Sequence, residues 1–312
     1  FKDVFPRYQT MKGRYVSRKA GWDCHGLPVE IAVEKELGFS GKGDIEKFGI
    51  AEFNEKCKVS VTRHVDAFTK MTERMGFWVD FDQAYWTMAP EYVESVWWSL
   101  SQIWKKGLLV QDHRVAPYCP RCGTGLSDHE LAQGYETVID PSVFVRFPVT
   151  SGDLAELGAS LLVWTTTPWT LVSNTAVAAH PDVDYVAVRA TTEKDGEQSS
   201  EVLIVAEPLL GAVAGEHEIL KRFKGSSLER VTYKRPFDYI EIPDAHFVVL
   251  ATYVTTEDGS GLVHQAPAFG ADDLQVCRSY GLPVVNPVAA DGHFLADVPV
   301  VGGLFFKEAD KP

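Results

Sequence analysis

From Ile50 onward the apolar residues Phe53, Cys57, Val61, Val65, Phe68, Met71 and Met75 recur at steps of three and four. That spacing lines one face of an α-helix, and Gly76 stands where a left-handed C-terminal cap belongs. The pattern predicts a helix over 50–75. A second helix is predicted from Pro90, a residue favoured in a first helical turn. It carries Val93, Val96, Trp97, Leu100, Ile103 and Trp104 along one side and closes on Lys105, Lys106 and Gly107, cations and a glycine at the negative end of the helix dipole. The aromatic stripe on these helices reads as core.

From about Asp140 the texture changes. Residues 143–147, 161–166, 185–190, 202–206 and 247–255 are rich in β-branched and aromatic side chains, and Pro and Gly clusters separate them; each reads as a short strand. Residues 193–200 are polar and aperiodic, the pattern of an exposed hairpin tip. No repeat of 20–50 residues occurs. The expected organisation is therefore a helix-rich domain over 1–140 and a strand-rich domain over 141–312, α/β overall, the second a barrel or a curled mixed sheet.

Composition narrows the class. The 312 residues, 45% hydrophobic and 23% charged, are enough for two domains with their own cores. No run of 18 apolar residues occurs, so no membrane span is expected. The opening Phe1-Lys2-Asp3-Val4 has neither a methionine nor the pattern of a signal peptide, and reads as the start of a piece excised from a longer protein. Thirty basic against 43 acidic residues leave a net charge of −13, at first sight an argument against a nucleic-acid partner. Net charge governs solubility and steering rather than one local patch, however. Lys2, Arg7, Lys12, Arg14, Arg18 and Lys19 face only Asp3 in the first 20 residues. That segment is either a phosphate contact or a solvated basic stretch. Five cysteines make no disulfide framework; Cys24, Cys57 and Cys277 are scattered singly, as in a reducing, cytoplasmic setting.

Four stretches carry chemistry. Trp164-Thr165-Thr166-Thr167-Pro168-Trp169-Thr170-Leu171 places four hydroxyls within six positions, suited to gripping polar backbone and sugar groups; the plain alternative is an edge strand entering a loop. Gly21-Trp22-Asp23-Cys24-His25-Gly26 brackets a carboxylate with glycines. Glycine admits a close ligand and the carboxylate can pair with an ammonium group, or Asp23 caps the helix that follows. Cys119-Pro120-Arg121-Cys122-Gly123 is half of a zinc knuckle, two thiolates spaced for one tetrahedral ion, with a redox pair as the competing reading. The turn Asp258-Gly259-Ser260-Gly261 precedes His264, and Asp273 lies nine residues on. The plain alternative is a structural histidine at His264, with Asp272 and Asp273 as caps of a helix carrying Leu274, Cys277 and Tyr280.

Taken together, the glycine-bracketed aspartate and the threonine run resemble the class I isoleucyl-tRNA synthetases, in a piece covering part of the synthetic domain and the editing insertion. Valine-type enzymes usually show Gly-Thr-Asp-His-Ala-Gly at the first segment and leucine-type enzymes Gly-Trp-Asp-Ala-Phe-Gly. Both place Arg after the threonines, where this chain has Thr167. The resemblance implies a partial Rossmann-type catalytic domain with a zinc-knuckle half and a β-barrel-like editing domain. It implies that Asp23 contacts the α-amino group of the amino acid being activated, with Trp22 lining that pocket and Thr170 binding substrate in the other. It also implies that Asp273 and His264 line a hydrolytic site, Asp273 holding the amino group of a misattached amino acid. Thr165, Thr166 and Thr167 hold the ester and terminal adenosine, and Asn174 belongs to the same pocket. Cys119 and Cys122 keep half of a zinc site whose second cysteine pair follows the editing insertion.

The resemblance supplies a reason for such a site. One methylene gives an apolar pocket only about 1–3 kcal/mol of discrimination, as is established for isoleucine against valine, so a second pocket hydrolyses what the first admits. An ester needs only a well-placed water, and no Ser-His-Asp triad or cysteine nucleophile has suitable spacing here. The full enzyme would attach isoleucine to its tRNA using ATP and magnesium, and this part would remove valine as a cytoplasmic monomer. The chain has neither the early His-x-Gly-His nor the late Lys-Met-Ser-Lys-Ser segment, so the fragment alone is not expected to aminoacylate. The competing reading is a non-catalytic, zinc-dependent RNA-binding module. A dehydrogenase is excluded, since no Gly-x-Gly-x-x-Gly follows a strand.

Overall fold

The computed structural model describes residues 1–310 except 133, 195 and 196. They form two compact units, 1–113 and 114–312. The first unit runs α1 (Val4–Met11), β1 (Lys19–Trp22), α2 (Leu27–Leu37), α3 (Lys42–Phe48), α4 (Ile50–Thr62), α5 (Val65–Arg74), β2 (Asp80–Trp86) and α6 (Pro90–Lys105). β1 and β2 are parallel, with the helices α2 to α5 forming the crossover that parallel strands require. A Cβ at Gly21 would fall 2.2 Å from the Tyr85 ring, so only glycine lets β1 lie against β2 there. Trp22 packs its indole on Phe68, Phe81 and Trp86, with ring centroids 5.5–6.1 Å apart.

Two expectations for this unit need correction. The helix predicted over 50–75 is broken in two at Arg63 and His64. The Thr62 hydroxyl donates back to the carbonyls of Lys58 and Val59, which competes with helix continuation, and His64 leaves the helical region at ψ 6°. Gly76 does take the left-handed conformation, φ +72°. The aromatic stripe of α6 is not core. The helix runs as predicted, but none of its residues is buried, and Trp97, Trp98 and Trp104 are each about two-thirds exposed (67%, 66% and 67%). A unit with one two-stranded sheet has no further layer to cover that face.

The second unit opens with a small hairpin, β3 (Tyr118–Cys119) and β4 (Thr124–Gly125), then α7 (Asp128–Ala132), β5 (Val143–Pro148), α8 (Gly152–Glu156) and β6 (Ala159–Thr165). It continues through a 3-10 helix (Pro168–Ser173), β7 (Ala176–Ala179), β8 (Asp184–Lys194), β9 (Glu197–Ala206), α9 (Leu210–Val213) and β10 (His217–Lys224). It closes with β11 (Phe247–Leu250), β12 (Leu262–Gln265) and α10 (Ala271–Ser279). Segment 114–140, grouped by sequence texture with the helical part, packs in this unit: Tyr118 Oη donates to Ala290 O at 2.9 Å, and Lys307 pairs with Asp140.

Eight strands form one mixed sheet, ordered β10-β8-β9-β6-β12-β7-β11, with β5 on the remaining edge of β6. β6 is central. β5 pairs along its length, while β9 takes its other edge at Ala159–Leu161 and β12 takes the same edge at Trp164. The end of β6 and the end of β12 therefore emerge side by side, which brings the threonine run to His264. Both faces of the sheet are covered. Phe147, Leu161, Val163, Ile204 and Val248 belong to one core, Leu162, Val186, Val188 and Val205 to another, and Ala178, Val249 and Cys277 to a third beneath α10. Burial on both faces explains the near-continuous apolar runs of these strands. Beyond β5, Val149 bridges to Tyr233 and Thr232 bridges to Phe247 on β11, which turns the sheet back on itself. The polar stretch 193–200 covers the paired end of β8 and start of β9, which pair as far as Lys194 and Glu197; its tip residues 195 and 196 lie outside the described residues.

Tyr185 is fully buried. Its hydroxyl donates to Gly261 O at 2.6 Å and accepts from His180 N at 3.0 Å. Tyr185→Phe leaves the buried Gly261 carbonyl and the half-buried His180 N–H without their bond, and we expect about 1–3 kcal/mol lower stability in urea unfolding. An unchanged unfolding midpoint would show that these groups find water instead.

Candidate functional site

The threonine run is where a buried strand stops being a strand. Thr165 is the last residue of β6, and Pro168, which suits the first position of a helix, starts the 3-10 turn that carries Thr170 back beneath the strand end. Thr165 Oγ1 accepts the backbone N–H of Thr167 at 3.1 Å and lies 3.3 Å from Thr167 Oγ1. Thr167 Oγ1 is in turn 3.2 Å from Thr170 Oγ1, whose own proton goes to Thr167 O at 2.7 Å. These hydroxyls form a ladder within one turn. Thr166 is exposed beside it. They line a cavity of about 390 Å³ together with Trp164, Trp169, Val263, His264, Ala266, Phe269, Gly270 and Asp273.

His264 is 6% exposed and held from both ring nitrogens. Nε2 is 3.0 Å from Thr170 Oγ1, and Nδ1 is 2.9 Å from Asn174 Nδ2. The Asn174 amide is oriented by two further contacts: Nδ2 donates to Ala176 O at 2.9 Å, and Tyr233 Oη donates to Oδ1 at 2.7 Å. An amide nitrogen only donates, so Nδ1 is the acceptor and the imidazole proton resides on Nε2. Burial pushes the imidazole down to about 4, so it stays neutral at pH 7. The Tyr233 hydroxyl, driven well above its ordinary range by burial, stays protonated. His264 is therefore a neutral donor facing the threonines rather than a base. Asn174, fully buried, acts one layer behind the cavity through that ring.

Asp273 sits in the first turn of α10 without capping it; the N-cap is Gly270, and its carboxylate Oδ2 accepts the N–H of Ala266 at 2.8 Å. A Cβ at Gly270 would lie 2.7 Å from the Asp273 carboxyl carbon, so the glycine makes room for it. Burial raises Asp273 to about 6, opposed by the Ala266 N–H and reinforced by Asp272. A carboxylate partly stripped of water, on the wall of a cavity, is poised to take a cationic partner. The sequence alone offered no signal for Tyr233, 59 residues from the amide it orients, nor for the aromatic pair Trp169 and Phe269, whose centroids lie 4.8 Å apart.

The other two sequence-predicted sites are separate. Asp23 is exposed and, in place of capping α2, lies 3.5 Å from Thr87 Oγ1, which also meets Cys24 N and His25 Nδ1. Its carboxylate is open to a ligand beside the Trp22 cluster. Cys119 and Cys122 flank the β3–β4 turn, where Gly123 takes φ +65° and Cys122 N donates to Cys119 Sγ at 3.4 Å. Burial raises the Cys122 thiol. Among the described residues no group of three or more His, Cys, Asp or Glu is placed to hold a metal ion. Two sulfurs are half of the tetrahedral set zinc requires, so the residues present do not complete a zinc site.

Residues 1–251 match the family described as tRNA synthetases class I (I, L, M and V). An isoleucine--tRNA ligase of Streptomyces coelicolor is 69% identical over 314 residues, covering 100% of this chain and 29% of that protein. One from Thermobifida fusca is 70% identical over 99% of this chain and 29% of its own length. One from Thermus thermophilus is 49% identical over 100% of this chain and 29% of its own length. The chain thus spans 29% of the length of these curated relatives. Among solved structures, the editing domain of the P. knowlesi cytosolic leucyl-tRNA synthetase is 16% identical over 45% of this chain and 64% of that chain, with a TM-score of 0.38.

The raised Asp273 carboxyl carries a stability consequence. Its folded value, about 6, lies above the unfolded 3.8, so the folded chain binds the extra proton and stability falls as pH rises through that window. Asp273→Asn keeps the shape without the buried charge. We expect it to melt a few degrees above the unsubstituted chain at pH 7.5, with the gap closing between pH 6 and 4. A gap independent of pH in calorimetry would contradict this account.

Proposed function

The chain belongs to the class I tRNA synthetases of the isoleucine, leucine, methionine and valine group, and on that premise we propose that its second unit is an editing site which hydrolyses valine from mischarged isoleucine tRNA. One observation carries the reading: Thr165, Thr166, Thr167, Thr170, His264 and Asp273, which span 109 positions of the chain, line a single cavity. Asp273 pairs with the α-ammonium of the aminoacyl group, and the threonines seat the ester and the terminal ribose. A water held against them attacks the ester carbonyl; the carbon–oxygen bond to the ribose breaks, and the ribose oxygen leaves with a proton. No covalent enzyme intermediate is needed, because an ester already has a fair leaving group. Rate enhancement then comes from positioning and from donors aimed at the developing charge.

The bridges that return the sheet from β5 to β11 support a barrel-like form for this domain, which we assign to residues 141–312. Residues 1–140 are assigned to the synthetic part, with Asp23 meeting the ammonium of isoleucine during activation and Trp22 lining that pocket. The whole ligase would use ATP and magnesium to join isoleucine to its tRNA, as a cytoplasmic monomer. Among the described residues no helix is long and apolar enough to cross a membrane.

The test is deacylation of valine-charged against isoleucine-charged isoleucine tRNA by this chain and by Asp273→Ala. We expect selective loss of the valine ester, slowed about 10²-fold or more by the substitution, as misplacing a substrate does. Hydrolysis of neither ester by the folded chain, or equal hydrolysis by both forms, would refute the reading and favour a tRNA-binding module without catalysis.

A further inference from the structure

Asp273 lines the cavity, but two of the groups that hold it do not. Tyr253, half-buried on the connection between β11 and β12, packs against the third core beneath α10, and its hydroxyl meets the Asp273 carboxyl. The same hydroxyl oxygen lies 2.7 Å from Gln265 Oε1. Gln265 ends β12, directly after His264, and is fully buried. Its Nε2 faces two carbonyl oxygens, Val263 O at 3.3 Å and His264 O at 3.2 Å. Turned over, the amide would set its oxygen against both carbonyls, so Oε1 stays toward Tyr253, where it can only accept. Neither Tyr253 nor Gln265 lines the cavity.

One phenol proton therefore has two acceptors, Gln265 Oε1 and the Asp273 carboxyl. A neutral carboxyl brings its own proton: Asp273 donates to Tyr253 Oη, Tyr253 donates to Gln265, and every group is satisfied. An ionised carboxyl has no proton to give. The phenol proton then turns to it at the cost of the Gln265 bond, because a hydrogen bond to a charged acceptor is the stronger. The Ala266 N–H on Oδ2 can only donate, whereas a hydroxyl both donates and accepts, so Tyr253 meets the carboxyl in either form. We propose that Tyr253 is a positioning residue for the ammonium anchor: its hydroxyl, steadied by Gln265, holds the Asp273 carboxyl in place in both its neutral and its ionised form, so that the α-ammonium of the aminoacyl ester meets a fixed acceptor. This rests on the editing function proposed above and assigns the support of its anchoring group.

Two measurements test it. Tyr253→Phe removes only the hydroxyl, and it is compared with the unsubstituted chain on two esters. One is valine-charged isoleucine tRNA; the other is the same charged tRNA deaminated with nitrous acid, which carries an α-hydroxyl in place of the ammonium. We expect kcat/KM for the valine ester to fall roughly tenfold in Tyr253→Phe, the scale of one lost hydrogen bond, and the deaminated ester to keep its rate. Equal loss with both esters, or loss with neither, overturns the proposal. The second measurement needs no substitution: carbon-13 NMR of Asp273 Cγ and Tyr253 Cζ against pH. Asp272 and Cys277 on α10, Tyr253, and His264 across the cavity are the titratable groups around Asp273, which is raised to about 6. Burial pushes Cys277 up to about 12, Tyr253 above its ordinary range and His264 down to about 4, so none of these three changes charge near pH 6. Tyr253 Cζ is nevertheless expected to shift with the Asp273 midpoint, as its proton changes acceptor; a Tyr253 signal flat through that midpoint overturns the proposal. This second result stands even if Tyr253→Phe does not fold. Failure of the unsubstituted chain to deacylate would count against the editing function itself, while the titration still judges the hold of Tyr253 on Asp273.

Discussion

The imidazole of His264 is the joint on which the second unit's site depends. It is buried, neutral and satisfied at both nitrogens, and it ties β12 to the 3-10 turn that follows β6. Removing a ring held in this way would strand the Asn174 amide on one side and Thr170 on the other, each in surroundings where an unmet polar group is costly. A network of this kind is worth having only when every member is satisfied. Here Tyr233, Asn174, His264, Thr170 and Thr167 each have a partner, so the cavity wall is held rigidly where a substrate would lie.

Asp273 balances that arrangement from the opposite wall. The threonine side is neutral, its hydroxyls bonded to one another; the α10 side carries a buried carboxylate that accepts the Ala266 N–H and meets the Tyr253 hydroxyl. A cavity walled by hydroxyls bonded to one another and by one under-solvated anion favours a ligand that brings positive charge. That complementarity suits an aminoacyl ester with a free ammonium group better than an anionic ligand, and it is compatible with the chain's overall acidity because it is set over a few ångströms.

The first unit shows the opposite condition. α6 bears an exposed aromatic face and the Asp23 carboxylate is exposed, and outside that unit the Cys119–Cys122 pair likewise supplies only two sulfurs. In each case residue types suited to burial or to ligation lack the layer or the additional ligands that would complete them. The interior of the second unit, with three hydrophobic clusters on the faces of one sheet, has no such deficit.

Much of this was legible in residue order. The end of α6 at Lys105, the strands at 143–147 and 161–166, the turn before His264 and the helix beginning near Asp272 all follow from local patterns, because periodicity, caps and glycine conformations act over a few residues. That the threonine run, His264 and Asp273 share one cavity came instead from the family resemblance, since each stretch alone also reads as an edge strand, a structural histidine or a helix cap. Local pattern failed where a tertiary choice intervened. Thr62 and His64 break a helix that the apolar spacing would continue, and the α6 stripe stays exposed because spacing records which face is apolar but cannot say whether anything covers it. Short apolar β7 and β12 acquire strand character only by pairing within the sheet, with each other and with β11 and β6. The tautomer of His264 was beyond any reading of the chain, since it is set by the Asn174 amide, which folding alone brings to the ring and orients against Ala176 O and the Tyr233 hydroxyl. Sequence determined which groups the site contains; tertiary structure decided which way their protons point, because hydrogen-bond direction is a property of contacts between segments.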